Sequence, residues 1–150
     1  MSDSTKPKRG VVLDTGANIS VFSLKISRCV GEDGRVVAVE PESTNFRLLR
    51  TNVEMNRCKN ILPIRTALGD NPGKASLNIY KKHGNNSIFA KATETLERQE
   101  EVSVLTQDVL AEELSLSLLS LIKVDTEGYE LKVVQGRKQT INGLKPKIVG

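Results

Sequence analysis

Three short apolar runs in this sequence each end in an acidic residue. The runs span residues 10–14, 35–40 and 118–125. Each has the length and apolar content of a buried β-strand. In open α/β sheets ligands bind outside the carboxyl ends of the strands, so acids at these ends can converge on one cleft. Asp14, Glu40 and Asp125 are therefore candidate ligand-binding residues.

The stretch that follows the first run suits a polar ligand. Gly16 allows close approach of the backbone, and Asn18 adds a side-chain amide in the same turn. The N-terminus of a helix after this loop would offer unpaired N–H groups. Glu40 can accept hydrogen bonds from both hydroxyls of a ribose. Together these residues favour an adenosine-type ligand.

Other cofactors and reaction classes fit less well. The loop lacks the GxGxxG pattern that places a pyrophosphate on a helix end, which disfavours an NAD-dependent oxidoreductase. Asp14 would repel a phosphate but would suit a cationic sulfonium or an amino group. The chain has one histidine, His83, and no CxxC, so it has few of the residues that form a metal site or a Ser-His-Asp triad.

The acids require alternating strands and helices to position them. We expect a helix with the apolar stripe Ile19, Phe22, Ile26, Cys29 and Val30, ending near Gly31. A second helix is expected to be capped by Ser43 and to bury Phe46, Leu49 and Val53. Residues 61–68 are expected to form a third strand.

The pattern in the second half of the chain is less regular. Residues 75–80 and 102–105 alternate like strands, whereas 91–100 are typical of a solvated helix or loop. Thr106 is expected to cap a helix to about Leu114, and another helix is expected over 129–135, stopped by Gly136. Lys147 begins a further strand. This order predicts an α/β fold with a mainly parallel sheet covered by helices on both faces.

The composition indicates one globular domain. The 150 residues are 38% hydrophobic and 27% charged, and we divide them into a polar basic tail, 1–9, and a domain, 10–150. Cys29 and Cys58 are expected to be reduced. No apolar run approaches the about 20 residues that cross a bilayer, so a cytoplasmic location without membrane contact is expected. With a net charge of +4 but 3% aromatics, a nucleic-acid partner is disfavoured.

Three segments in this order resemble the FkbM family of methyltransferases. They are DTGANI at 14–19, VEP at 39–41 followed by Asn45, Phe46, Leu49 and Asn52, and IKVDTEGYE at 122–130. The resemblance implies a Rossmann-like class I methyltransferase fold that binds S-adenosylmethionine. It also implies methyl transfer to a hydroxyl oxygen of a small molecule, commonly a sugar or a polyketide-type natural product.

The resemblance also implies roles for individual residues. Asp14, Gly16 and Asn18 would line the methionine part of the cofactor, and Glu40 would hold its ribose. Leu68 and Asp70, at the end of the third strand, would contact the adenine. Asp125 and Glu127 would face the transferring methyl group, and one of them would act as a general base. No metal is implied.

Two departures from the family pattern leave a second function open. Ser20 stands where the family usually has a glycine, and the family's fold normally continues beyond residue 150, so an incomplete domain is expected. The alternative is a non-catalytic, methyltransferase-like domain that acts by binding or association. An open sheet edge would also favour a homo-oligomer.

Overall fold

The computed structural model describes residues 10–81, 86–88, 94–127, 129–136 and 146–150. The strands are β1 (Val11–Thr15), β2 (Arg35–Val39), β3 (Ile61–Ile64), β4 (Ala67–Leu68), β5 (Gly73–Tyr80), β6 (Leu96–Leu105), β7 (Leu121–Val124) and β8 (Lys147–Val149). The helices are α1 (Val21–Val30), α2 (Ser43–Met55), α3 (Gln107–Glu113) and α4 (Glu130–Gln135).

The strands form two sheets. A five-stranded sheet has the order β3-β2-β1-β7-β8, and every pairing in it is parallel. A smaller sheet has the order β4-β6-β5, with β4 parallel and β5 antiparallel to β6. The expected α/β class with a mainly parallel sheet is confirmed.

Successive residues of the central strands point to opposite faces of the large sheet, as the pleat requires. Val36 and Ala38 of β2 pack in one core cluster with Val30 of α1 and Leu49 of α2. The alternate residues of β2 pack on the other face, in a cluster with Leu110 of α3 and Val133 of α4. Helices therefore cover both faces, which keeps the almost wholly apolar central strands out of water.

The third predicted strand is two strands. Residues 61–64 pair with β2 in the large sheet, whereas residues 67–68 pair with β6 in the small sheet. Thr66 lies between them, and its hydroxyl donates to the carbonyl of Ser103. The apolar content of 61–68 did not show this change of sheet, because both halves contribute buried residues, such as Ile61 and Ala67.

The prediction of a solvated helix or loop over 91–100 is wrong for its second half. Residues 96–100 form the first half of β6 and pair in antiparallel register with β5. Their charged side chains tolerate this position because much of the hairpin surface is exposed. The strand is held by cross-strand pairing to a distant segment, which local propensity does not report.

Two expected helix details are corrected. Cys29 and Ile19 are exposed, and the closest packing of α1 on the sheet is made by Ser23 and Ser27, whose small side chains let the helix approach. Helix α2 is capped by Glu42 rather than Ser43. The Glu42 carboxylate accepts from the backbone N–H groups of Thr44 and Asn45 at 2.9 and 2.7 Å.

Most other expectations for the helices and strands hold, and one strand boundary is corrected. Thr106 caps α3 by accepting from the N–H of Val109, and α4 ends at Gly136. The last buried strand begins at Leu121 rather than Leu118, which is exposed. Cys29 and Cys58 are both free thiols.

Some expectations fall on residues that lie outside the described part of the chain. These include the basic tail at 1–9 and residues 91–93 of the 91–100 segment, and His83 also lies outside the described part. Within the described ranges, every helix is too short or too polar to traverse a lipid bilayer.

Candidate cofactor site

A cleft of about 550 Å³ lies at the carboxyl ends of β1, β2 and β7. Its volume falls within the range of small-molecule and cofactor pockets. Of the residues expected to contact cofactor or substrate, the cleft is lined by Gly16, Asn18, Glu40, Leu68, Asp125 and Glu127. Asp14 and Asp70 do not line it. The structure thus brings six predicted residues, from four separate segments, to one cavity.

The turn after β1 depends on a glycine. Gly16 has φ of +76°, and a Cβ built there would come within 1.8 Å of the carbonyl oxygen of Asp125. The N–H groups of Gly16 and Ala17 both donate to the carbonyl of Val39, at 3.0 and 2.9 Å. Gly16 therefore permits the ends of β1, β2 and β7 to close together at the floor of the cleft.

Glu40 is a buried carboxylate that lines the cleft. Its Oε2 accepts from the N–H of Asn18 at 2.8 Å, and its Oε1 accepts from the N–H of Glu42 at 3.0 Å. Its exposed fraction is 5%. Burial raises the pKa of Glu40 to about 7, against the lowering effect of the two backbone hydrogen bonds. Each carboxylate oxygen has further acceptor capacity for ligand hydroxyls.

Asp14 lies beneath the cleft. It is fully buried, its Oδ2 accepts from the Ser23 hydroxyl at 2.6 Å, and its Oδ1 lies 3.1 Å from the ammonium of Lys123. Asp14 and Lys123 are paired in register on the neighbouring strands β1 and β7. Lys123, not Asp14, reaches the cleft lining.

Asp125 and Glu127 follow β7 at the rim of the cleft. Both are exposed, and the side chain of Asp125 keeps 63% of its accessible surface. Glu127 has φ of +53°, a conformation that is uncommon for residues other than glycine, and its carbonyl accepts from the Ser87 hydroxyl at 3.1 Å. A bound substrate would have to exclude water from these carboxylates before either could serve as an efficient base.

Leu68 and Asp70 separate at the end of β4. Leu68 is buried and lines the cleft, but Asp70 turns away and pairs with Lys132 of α4 at 2.8 Å. The hydrogen bond from Lys132 lowers the pKa of the Asp70 carboxyl. The Asp70–Lys132 ion pair connects the loop after β4 to α4. Asp70 therefore does not lie at the cleft, where it was predicted to contact the adenine.

Sequence reasoning missed the wall that the small sheet contributes. Leu77 of β5, with Asn86 and Ile88 of the following segment, lines the cleft opposite the loop after β1. The segment is held by a bridge between Ser87 and Asn78 and by the Ser87 contact with Glu127. The alternating pattern of 75–80 predicted the strand, but no local signal placed it over the site.

Phe22, Lys25 and Tyr129 also line the cleft and were not predicted as site residues. They lie close in sequence to the loop after β1 and to the acidic motif after β7. Phe22 and Lys25 lie near the start of α1, and Tyr129 is two residues after Glu127, so this closeness in sequence is the signal that could have identified them.

The residues present fit a nucleoside-type cofactor. A buried carboxylate stands beside a glycine turn, and apolar side chains such as Leu68, Leu77 and Ile88 supply surface for a flat ring. The N-terminus of α1 has no acidic residue in its first turn and no side-chain cap. Within the described ranges, no three His, Cys, Asp or Glu side chains are grouped to hold a metal ion.

Comparison with known proteins agrees with this geometry. Residues 14–150 match the family described as "Methyltransferase FkbM domain". A protein named "Methyltransferase 1", from Beauveria bassiana (strain ARSEF 2860), is 27% identical over 149 residues, which cover 87% of this chain and 59% of that protein. The chain thus spans well under two thirds of this relative.

Two solved structures share the fold. The methyltransferase FkbM from Methylobacillus flagellatus KT superposes with a TM-score of 0.64 at 19% identity, over 93% of this chain and 32% of that one. A precorrin-6y C5,15-methyltransferase from Geobacter metallireducens GS-15 gives a TM-score of 0.51 at 13% identity, over 92% of this chain and 50% of that one. With a Rossmann-like fold, with Glu40, Asp125 and Glu127 at one cleft, and with a family match over most of its length, the chain belongs to the FkbM methyltransferase family.

Proposed function

We propose that this chain is the cofactor-binding part of an S-adenosylmethionine-dependent O-methyltransferase. The observation that carries the proposal is Glu40, a carboxylate held almost out of water in a cleft of nucleoside size. Its two backbone hydrogen bonds fix its orientation, and its remaining lone pairs can accept from the two hydroxyls of a ribose. Gly16 and Asn18 would border the methionine part, and Leu68 the adenine.

For methyl transfer, the main task of the protein is to align the acceptor oxygen with the methyl group of the cofactor. When bound, S-adenosylmethionine supplies a methyl group on a good leaving group, ready for in-line displacement by an oxygen. The chain's own residues would bind the ribose, orient the acceptor hydroxyl and remove its proton. Asp125 and Glu127 are the carboxylates at the correct edge of the sheet to take that proton.

The acceptor we propose is a small molecule with a hydroxyl group, of the sugar or polyketide type. The wall formed by Leu77 and Ile88, facing the acids after β7, gives the cleft both apolar and hydrogen-bonding surfaces. Such a mixture suits a partly hydroxylated carbon skeleton.

Calorimetric titration with S-adenosylmethionine and S-adenosylhomocysteine tests cofactor binding. We expect micromolar affinity for wild type and a loss of at least about tenfold in Glu40→Ala, because two charge-assisted hydrogen bonds disappear. Glu54→Ala is the matched control, since Glu54 is exposed on α2, where it pairs with Arg50. Wild-type protein that is folded but binds neither ligand would refute the proposal.

The exposure of Asp125 keeps a binding-only function as the second candidate. A carboxylate base that keeps 63% of its side-chain surface in water is activated little by the protein around it. Methyl transfer from labelled S-adenosylmethionine to a panel of hydroxylated sugars and polyketides distinguishes the two. Transfer that falls at least about 100-fold in Asp125→Asn or Glu127→Gln, with cofactor affinity retained, supports the enzyme. Tight binding without transfer to any acceptor supports the second candidate.

A further inference from the structure

Asp14 and Lys123 form an ion pair under the floor of the cleft. Asp14 is fully buried, and both of its carboxylate oxygens are occupied, one by the Ser23 hydroxyl and one by the Lys123 ammonium. Because its charge is compensated and its oxygens are covered, Asp14 is not available to receive the amino group of a ligand.

Lys123 is the member of the pair that faces the cleft. Its side chain keeps 17% of its accessible surface and lines the cavity. Its Nζ lies 3.1 Å from Asp14 Oδ1 and 3.4 Å from the carbonyl oxygen of Gly16. Asp125 Oδ2 is 3.8 Å away, which is too long for a hydrogen bond. An ammonium has three N–H donors, so one donor lacks an acceptor at normal distance among the residues that the structure describes.

The surroundings hold this ammonium in place. The ring of Phe22 lies under it, with its centroid 5.4 Å from Nζ, on the side of α1. The ion pair with Asp14 and the Gly16 carbonyl fix it from the floor. A cation that is anchored on three sides and open on one is preorganised to bind an anion from the cleft.

We propose that Lys123 binds the α-carboxylate of the methionine part of the cofactor, with Asp14 as the positioning residue that fixes the lysine. This inference rests on the proposed function. The methionine part carries a cationic amino group and an anionic carboxylate, and beside an ammonium the carboxylate is the favoured end. The orientation is the reverse of the one that the sequence suggested, in which Asp14 received the cationic end.

The test compares two ligands that differ only in this carboxylate. S-adenosylhomocysteine has it, and decarboxylated S-adenosylhomocysteine keeps the amino group but lacks it. For wild-type protein we expect calorimetry to show at least about tenfold tighter binding of the first, the usual size of a charge-assisted hydrogen bond. The ratio of the two affinities is the readout, because a general loss of stability lowers both affinities together.

Two variants separate binding from anchoring. Lys123→Gln alone would leave Asp14 as an unpaired buried charge and could unfold the chain. The double variant Asp14→Asn/Lys123→Met removes both charges and the N–H donors at residue 123, so its affinity ratio should fall to within about twofold of unity. Asp14→Asn keeps the ammonium but removes the charge that fixes it, so its affinity ratio should fall below that of wild type and stay above that of the double variant. Lys59→Gln, which removes an exposed lysine before β3, should retain the wild-type ratio.

The outcomes distinguish this inference from the proposed function. A ratio that persists in the double variant, or is absent in wild type, would overturn the role of Lys123 and leave cofactor binding intact. If folded wild type binds neither ligand, the proposed function fails and the inference fails with it. Circular dichroism of each variant confirms that the folded state is the one titrated.

Discussion

Ser20, the last residue before α1, occupies a backbone conformation that suits glycine. Its φ is +94°, it is fully buried, and its hydroxyl has no hydrogen-bond partner among the described residues. Both features cost free energy: a left-handed conformation costs a residue with a Cβ about 1 kcal/mol or more, and an unpaired buried hydroxyl costs about as much again. The glycine usual in the FkbM family at this position would avoid both.

We therefore expect Ser20→Gly to raise the free energy of unfolding by about 1–2 kcal/mol. Ser20→Ala removes the hydroxyl but keeps the Cβ, so it should give a smaller gain. Urea denaturation of wild type, Ser20→Gly and Ser20→Ala measures the order of their unfolding free energies. An alanine variant as stable as the glycine variant would show that the backbone at residue 20 is not strained.

Glu40 gives the stability of the fold a pH dependence. Burial raises its pKa from 4.5 to about 7, so the folded chain holds this proton where the unfolded chain has lost it. Stability is full below about pH 4.5 and falls as pH rises to about 7, by on the order of 3 kcal/mol for this group. Ribose binding should work in the opposite direction, because hydroxyl donors favour the charged carboxylate.

The difference in unfolding free energy between wild type and Glu40→Gln, measured at intervals from pH 4.5 to 8, isolates this contribution. We expect wild type to lose stability relative to the variant over that range, because the amide does not titrate. Glu54→Gln serves as the control and should run parallel to wild type. A difference that stays constant with pH would place the Glu40 pKa near its usual value.

At the scale of elements, one ion pair joins the small sheet to α2. Arg98 of β6 donates to the Glu42 carboxylate, which also caps α2, and to the Thr44 hydroxyl at 3.2 Å. The Glu42 side chain is 3% exposed and that of Arg98 is 38% exposed, so water screens the pair only from the Arg98 side. The contact sets the small sheet against the end of β2, where Glu40 lies.

We predict that Arg98 and Glu42 stabilise the fold cooperatively. A double-mutant cycle with Glu42→Gln and Arg98→Met should give a coupling free energy of about 1 kcal/mol or more, because one partner is buried and hydrogen-bonded. The Lys74–Glu101 pair on the same hairpin is 73% and 68% exposed, so solvent screens it and its coupling should be clearly smaller. Equal coupling in both pairs would contradict a docking role for Arg98.

At the scale of the molecule, β8 is the outer strand of the large sheet on its β7 side, within the described residues. Ile148 and Val149 are 48% and 44% exposed. An outer strand with unpaired backbone groups and exposed apolar side chains can pair with another copy. We propose that this 150-residue chain self-associates through β8.

Light scattering coupled to size-exclusion chromatography tests this proposal. The average mass should rise with protein concentration, and Ile148→Lys should suppress the rise because it places a charge at the strand edge. Met55→Lys is the matched control, since Met55 is 77% exposed on α2 and distant from this edge in the sheet order. A mass that stays monomeric at high concentration would refute the proposal.

Much of the architecture could be predicted from the sequence because its causes are local. The apolar runs that became β1, β2 and β7, the cap at Thr106 and the stop at Gly136 are signals carried within a few residues of where they act. The parallel order of the central strands follows from strand–helix alternation and right-handed crossovers. These rules also brought most of the motif residues to one end of the sheet.

Contacts between distant segments were decided only by the tertiary structure. The break between β3 and β4, the pairing of charged residues 96–100 with β5 and the wall of Leu77 and Ile88 all depend on partners far away in the chain. The tertiary structure also decided the surroundings of the acidic residue Asp14. Spacing places Asp14 at a strand end, but only packing shows that Lys123 neutralises it and takes its place at the cleft, because a charge's role depends on what lies within a few ångströms of it.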